Sequence, residues 1–228
     1  MFFWDYTFWL LIPPLILAIY AQQKVKSTYK RFSRKVAASR ISAAELARRI
    51  LRTSGADVKV EKVPGQLTDH YDPRKRVLRL SEGVYGSSSI AALGISAHEA
   101  GHALQHHGGY FPLQLRNAIY PVASFGSSLA FPLFFIGFIF SSQGPSILMD
   151  IGILLFAGAV AFSVLTLPVE FNASRRALSL LHKGGYLKKD ELYGARQVLY
   201  AAALTYVAAT AMAAMQLLRL FLLRSSRR

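Results

Sequence analysis

His98-Glu99-Ala100-Gly101-His102 (HEAGH) lies within IAALGISAHEAGHAL, residues 90–104, a run that reads as one helix. Ser87-Ser88-Ser89 can cap its start and Gly108-Gly109 can end it. On a helix, histidines at i and i+4 share a face. Their ring nitrogens can then converge on one Zn²⁺ at roughly 2.0–2.1 Å, leaving the intervening glutamate to act on metal-bound water. The bare pattern arises by chance in roughly one chain of this length in a hundred, so its setting decides its meaning.

That setting is a row of apolar stretches. Residues 2–21 carry only Asp5 as a charge, residues 147–169 only Asp150, and residues 118–140 and 198–218 none. Each is close to the 20 or so residues a helix needs to cross a hydrocarbon core of about 30 Å. A buried helix of a soluble protein would keep a polar stripe, and the middle two keep none. With 53% hydrophobic residues in 228, the chain reads as a mainly α-helical integral membrane protein.

The formal net charge of +15 raises the possibility of a nucleic-acid partner. The basic residues instead flank apolar segments and form no aromatic-interleaved patch, so the expectation is a lipid bilayer and no nucleic acid. Seven basic residues and no acid occupy positions 24–40. This bias, and the absence of Lys or Arg at the extreme N-terminus, make the first stretch an uncleaved anchor rather than a signal peptide. Its C-terminal end then lies in the cytoplasm.

Five segments follow from this reading. Residues 1–21 form the anchor and 22–117 a cytoplasmic part holding the HEAGH helix. Residues 118–169 form a transmembrane hairpin closed by the six-residue turn 141–146. Residues 170–197 form a helix and turn, and 198–228 a hydrophobic helix with a basic tail. Within the second segment, Ser42-Ala43-Ala44-Glu45 reads as a capping box. A period of two then suggests strands around Val58, Val60 and Val63, at 67–71, and at Val77, Leu78 and Leu80, with Asp72-Pro73 as a turn. A small α+β part thus precedes and includes the zinc helix. After the hairpin, 171–181 reads as a separate helix, 182–185 as a turn, and 189 onward as another helix. A hairpin returns the chain to the side it left, which brings Glu170 out on the face that carries HEAGH.

Two imidazoles leave zinc one protein ligand short of a catalytic set, and the chain has no cysteine, so His, Asp or Glu must supply it. Glu170 is the best-placed candidate; the alternative is an interfacial carboxylate pairing with Arg175 or Arg176. His106 extends the i+4 series but lies two turns from His98, about 12 Å along the axis, too far to share one ion. His70, His107 and His182 read as structural or interfacial. Arg196, Tyr193 and Tyr200 are equal candidates for stabilising a developing oxyanion. The third strand, 76–80, is one place where an extended peptide could dock as on an exposed edge; the other reading is a strand used only for folding.

Glu170-Phe171-Asn172-Ala173-Ser174-Arg175-Arg176-Ala177 resembles the E-x-x-A-D-x-x-A segment of HtpX-type membrane metallopeptidases. Together with HEAGH, Leu67-Thr68-Asp69-His70-Tyr71-Asp72-Pro73 and Ala201-Ala202-Ala203-Leu204-Thr205-Tyr206, it is still more similar to the YugP-like membrane zinc metallopeptidases. The likeness spans nearly the whole chain. It implies a zincin-like catalytic part and a gluzincin-type peptidase of the bacterial cytoplasmic membrane, acting on membrane or membrane-proximal polypeptides. It implies one Zn²⁺ per chain, with His98, His102 and Glu170 as ligands and Glu99 as general base. Ser174 departs from the HtpX-type pattern, standing where an aspartate usually orients a ligand histidine; a hydroxyl raises ligand basicity less than a carboxylate. Two rivals stand beside this reading. A metal transporter calls for acids and histidines in mid-span, which the central parts of the four stretches lack. An inactive scaffold would have no chemical need for Glu99 beside three ligands.

Overall fold

A computed structural model of the chain describes residues 6–141, 144 and 146–226. The start of the anchor (residues 1–5), Ser142, Gln143 and Pro145 of the expected turn, and Arg227 and Arg228 of the basic tail lie outside the described residues. A 3-10 turn, Tyr6–Leu11, leads into α1 (Ile12–Ser33). Pro13 and Pro14 stand in the first turn of α1, where no intrahelical N–H bond is lost. Then follow α2 (Ala43–Thr53), β1 (Lys59–Val63), β2 (His70–Asp72), β3 (Val77–Ser81), the short α3 (Glu82–Tyr85) and α4 (Ile90–His107). Three long helices complete the chain: α5 (Phe111–Phe140), α6 (Ile147–Lys183) and α7 (Lys189–Ser225). The protein is a mainly helical membrane protein with one small sheet.

Its contacts divide it into two compact units. One comprises residues 1–21, 115–167 and 205–228. Its core joins Ala130 and Phe134 of α5, Met149, Ile153 and Phe156 of α6, and Leu220 and Leu223 of α7. Asp150, the one charge in its apolar stretch, is paired with Arg224 on α7. Many large apolar side chains point outward instead, Val122, Phe125 and Leu154 among them. Such a surface suits lipid. Among the described residues, the helices through this unit, with the N-terminal Tyr6–Ser33 segment, are the four that are long and apolar enough to cross a bilayer.

The other unit, residues 22–114 and 168–204, holds the sheet and α4. Ser42 caps α2 as its sequence predicts, its hydroxyl accepting from the Glu45 N–H at 3.3 Å. The reciprocal half of the box is replaced, because the Glu45 carboxylate takes Arg49 one turn later at 2.9 Å. Leu46, Ile50 and Leu51 of α2, Leu78 and Leu80 of β3, Leu93, Ala97 and Ala100 of α4, Leu181 of α6 and Leu199 of α7 share one core.

The sheet runs β1-β3-β2, with β1 parallel to β3 and β2 antiparallel to it. This corrects the expectation that the third strand could offer an exposed edge. β3 is the central strand, paired on both sides, and Val77, Leu78, Leu80 and Ser81 are buried. Its composition explains the placement: Leu78 and Leu80 feed the core, while Arg79 on the other face is held by Asp72 at 3.1 Å and Glu61 at 3.6 Å. The second strand is also shorter than expected. It begins at His70, because Leu67 adopts a left-handed φ of 56° that breaks an extended run.

A second difference concerns α6. The helix expected to restart at residue 171 is the continuation of one that began at Ile147. Pro168 removes a single N–H, and no cluster of turn-forming residues follows it. Val169, Ala173, Ala177 and Leu181, spaced four apart, are all fully buried, so packing keeps the residues after the proline helical.

Candidate metal centre

Helix α4 begins where its sequence places it. The Ser89 hydroxyl accepts from the Ala92 N–H at 3.2 Å, and Gly108 and Gly109 end the helix, Gly109 at a left-handed φ of 62°. The histidine-bearing face of α4 lies against α6 at very short range. A Cβ added to Gly101 would stand 2.8 Å from the Ala173 carbonyl oxygen, so only glycine permits this approach. Ala173 is one turn beyond Glu170, and the glutamate is thereby delivered to the two imidazoles.

His98 Nε2 and His102 Nε2 each lie 3.3 Å from Glu170 Oε2. The two rings meet edge to face, with centroids 4.7 Å apart and planes at 87°. Glu170 is only 4% exposed. In a tetrahedron with bonds of about 2.05 Å, neighbouring ligand atoms are about 3.3 Å apart. Both distances to Glu170 match that edge, the three ligand atoms all lie within 4.8 Å of one another, and a set of two imidazole nitrogens and one carboxylate oxygen suits zinc. No other group of three or more His, Cys, Asp or Glu among the described residues comes together in this way.

Residues 7–225 match the family described as "Putative neutral zinc metallopeptidase". The chain belongs to that family. The "Putative membrane protease YugP" of Bacillus subtilis (strain 168) is 49% identical to it over 211 residues, which is 92% of each chain. No solved structure matches it.

In this metallopeptidase-family chain, the outer nitrogens of both histidines also have partners. Ser174 Oγ lies 3.2 Å from His98 Nδ1, so its hydroxyl reaches the ring. His102 Nδ1 faces Gln105 Oε1 at 2.9 Å. The sequence alone does not single out Gln105. Its only signal was spacing: a polar residue three places after His102, hence one turn along the same face. The His102 pKa stands above its ordinary value. Burial alone would lower it, but the Glu170 carboxylate, the Glu99 charge and Gln105 outweigh burial.

Glu99 is half-buried and lies close enough to act on the charge of His102. The remaining histidines lie elsewhere. His106 Nδ1 is engaged by the Tyr71 hydroxyl at 2.8 Å, and His70 Nδ1 by the Thr68 carbonyl at 2.8 Å. His107 and His182 are exposed. Arg196, Tyr193 and Tyr200 are exposed on α7. Arg196 and Tyr193 line a hollow with Leu178, Lys189 and Leu192, and none of His98, Glu99, His102 or Glu170 lines it.

Proposed function

We propose that this chain is a membrane zinc endopeptidase with one metal ion per chain, held by His98, His102 and Glu170, and with Glu99 as general base. The observation that carries the reading is the convergence of three ligand atoms from α4 and α6 within 4.8 Å of one another, both imidazoles standing 3.3 Å from the Glu170 carboxylate. Zinc bound there supplies Lewis acidity, lowering the pKa of a water and polarising a carbonyl. Glu99 follows His98 directly, and its carboxylate takes the proton of the attacking water and passes it to the leaving amine. The buried Glu170 carboxylate offsets part of the metal charge, so the site stays electrophilic without carrying its full +2.

Substrates on this reading are membrane or membrane-proximal polypeptides, and the site faces the cytoplasm of a bacterial cell. The support for that side is the run of seven basic residues at positions 24–40, directly after the N-terminal span.

Glu99→Gln separates metal binding from chemistry, because glutamine keeps the size of the side chain and cannot accept the proton. Purified in detergent, the variant should hold as much zinc as the wild type and cleave casein on the order of 10²–10⁴-fold more slowly. Cleavage at the wild-type rate would refute Glu99 as the base. The inactive-scaffold alternative predicts no cleavage by the wild type either.

A further inference from the structure

Gln105 is fully buried, a costly place for a primary amide unless each polar atom finds a partner. Every one does. Its nitrogen faces the Val169 carbonyl at 2.8 Å and Asn172 Oδ1 at 3.0 Å; its oxygen faces His102 Nδ1 at 2.9 Å. Val169 and Asn172 stand on either side of Glu170 in α6.

The direction of these bonds follows from one group that can only donate. Arg176 Nε–H reaches Asn172 at 2.8 Å, so the Asn172 atom there is its carbonyl oxygen. That same oxygen faces Gln105, which must therefore present its NH₂, and the Val169 carbonyl demands the second hydrogen. The Gln105 oxygen is left to His102, so Nδ1 of that ring carries a proton, and when the ring is neutral its lone pair stands on Nε2. Nε2 is the atom 3.3 Å from Glu170 Oε2. Arg176 itself is steadied by the Tyr110 ring, 5.8 Å from the guanidinium carbon.

We propose that Gln105 is a positioning residue for the zinc site: through the chain Arg176–Asn172–Gln105 it fixes the tautomer and orientation of His102 and ties that ring to the turn bearing Glu170. At its Nδ1, His98 faces the Ser174 hydroxyl, which can donate or accept and so imposes no tautomer. The two ligand histidines are thus unequally held, and Gln105 supplies the fixed half. The inference rests on the zinc reading above.

The test combines chelator competition for zinc with ¹⁵N NMR of the histidine rings. In the zinc-loaded wild type, His102 should be bound through Nε2 and show an Nδ1–H proton protected from exchange. Gln105→Met keeps the volume and removes both donor and acceptor; its zinc affinity should fall 10–100-fold and the protected proton should disappear. Gln105→Glu restores the acceptor for His102 but sets an oxygen against the Val169 carbonyl and Asn172, and should recover part of that affinity. Equal affinities in wild type and Gln105→Met would overturn the proposal. So would equal losses in the Met and Glu variants, which would mark Gln105 as a tether between helices only. Should the variants fail to fold, the wild-type spectrum decides: coordination of His102 through Nδ1 is incompatible with the proposal. A wild type that holds no zinc at all overturns the zinc reading, and this inference with it; zinc-bound wild type with an unaffected Gln105→Met overturns the role of Gln105 alone.

Discussion

Glu170 gives up almost all of its hydration to reach His98 and His102, and a buried carboxylate is tolerated only when opposite charge or strong donors meet it. Without metal, those donors are the imidazoles, which is why the His102 pKa is raised despite burial. Proton and zinc therefore compete for the same atoms, with opposite consequences for stability. In the metal-free protein the charged His102 stabilises the fold fully below its unfolded value of about 6.5, and this contribution is lost as the pH rises through the raised folded value. In the zinc-loaded protein, ligand nitrogens must be unprotonated, so stabilisation by the metal is lost as the pH falls through that same value. Thermal unfolding of both forms from about pH 6 to pH 8 should show the gain from zinc growing with pH. A gain independent of pH across that window would mean that these imidazoles do not take up the metal.

The closeness of α4 to α6 makes a prediction of its own. Gly101→Val places branched carbon against the Ala173 carbonyl, where even a Cβ stands at 2.8 Å. Separation of the helices should cost about 1–3 kcal/mol of stability and lower zinc affinity, measured by thermal unfolding and chelator competition. An unchanged zinc affinity in a folded Gly101→Val protein would show that the ligand spacing does not depend on this contact. The elements involved also show what a sequence can and cannot disclose. HEAGH, the Ser89 cap and the Gly108-Gly109 stop are local signals, and the helix they define was legible in full. The Glu170 segment is legible through its resemblance to known metallopeptidases; the arithmetic of a hairpin speaks only to the side of the membrane on which it emerges, not to its contact with α4. The central position of β3 was not legible, since strand order depends on pairing between distant segments that a period-two pattern leaves open. Gln105 stayed hidden for the same reason: its partners Val169 and Asn172 lie 64 and 67 residues away.

At the scale of the whole molecule, four apolar helices and the run of basic residues after the first one set the expected orientation. A cysteine introduced at Ser54 of this cysteine-free chain should resist a membrane-impermeant thiol reagent in intact cells, and one at Ser142 should react. The reverse pattern would invert the orientation, and reaction at both would undermine the count of spans that returns Glu170 to the side of HEAGH. The central claim is that residues from two helices, 68 positions apart between His102 and Glu170, build one zinc site. Zinc content of the purified protein tests it most directly. The account predicts about one ion per chain in the wild type, most of it lost in Glu170→Ala as in His98→Ala, and full retention in His106→Ala. Full zinc retention in Glu170→Ala would contradict it.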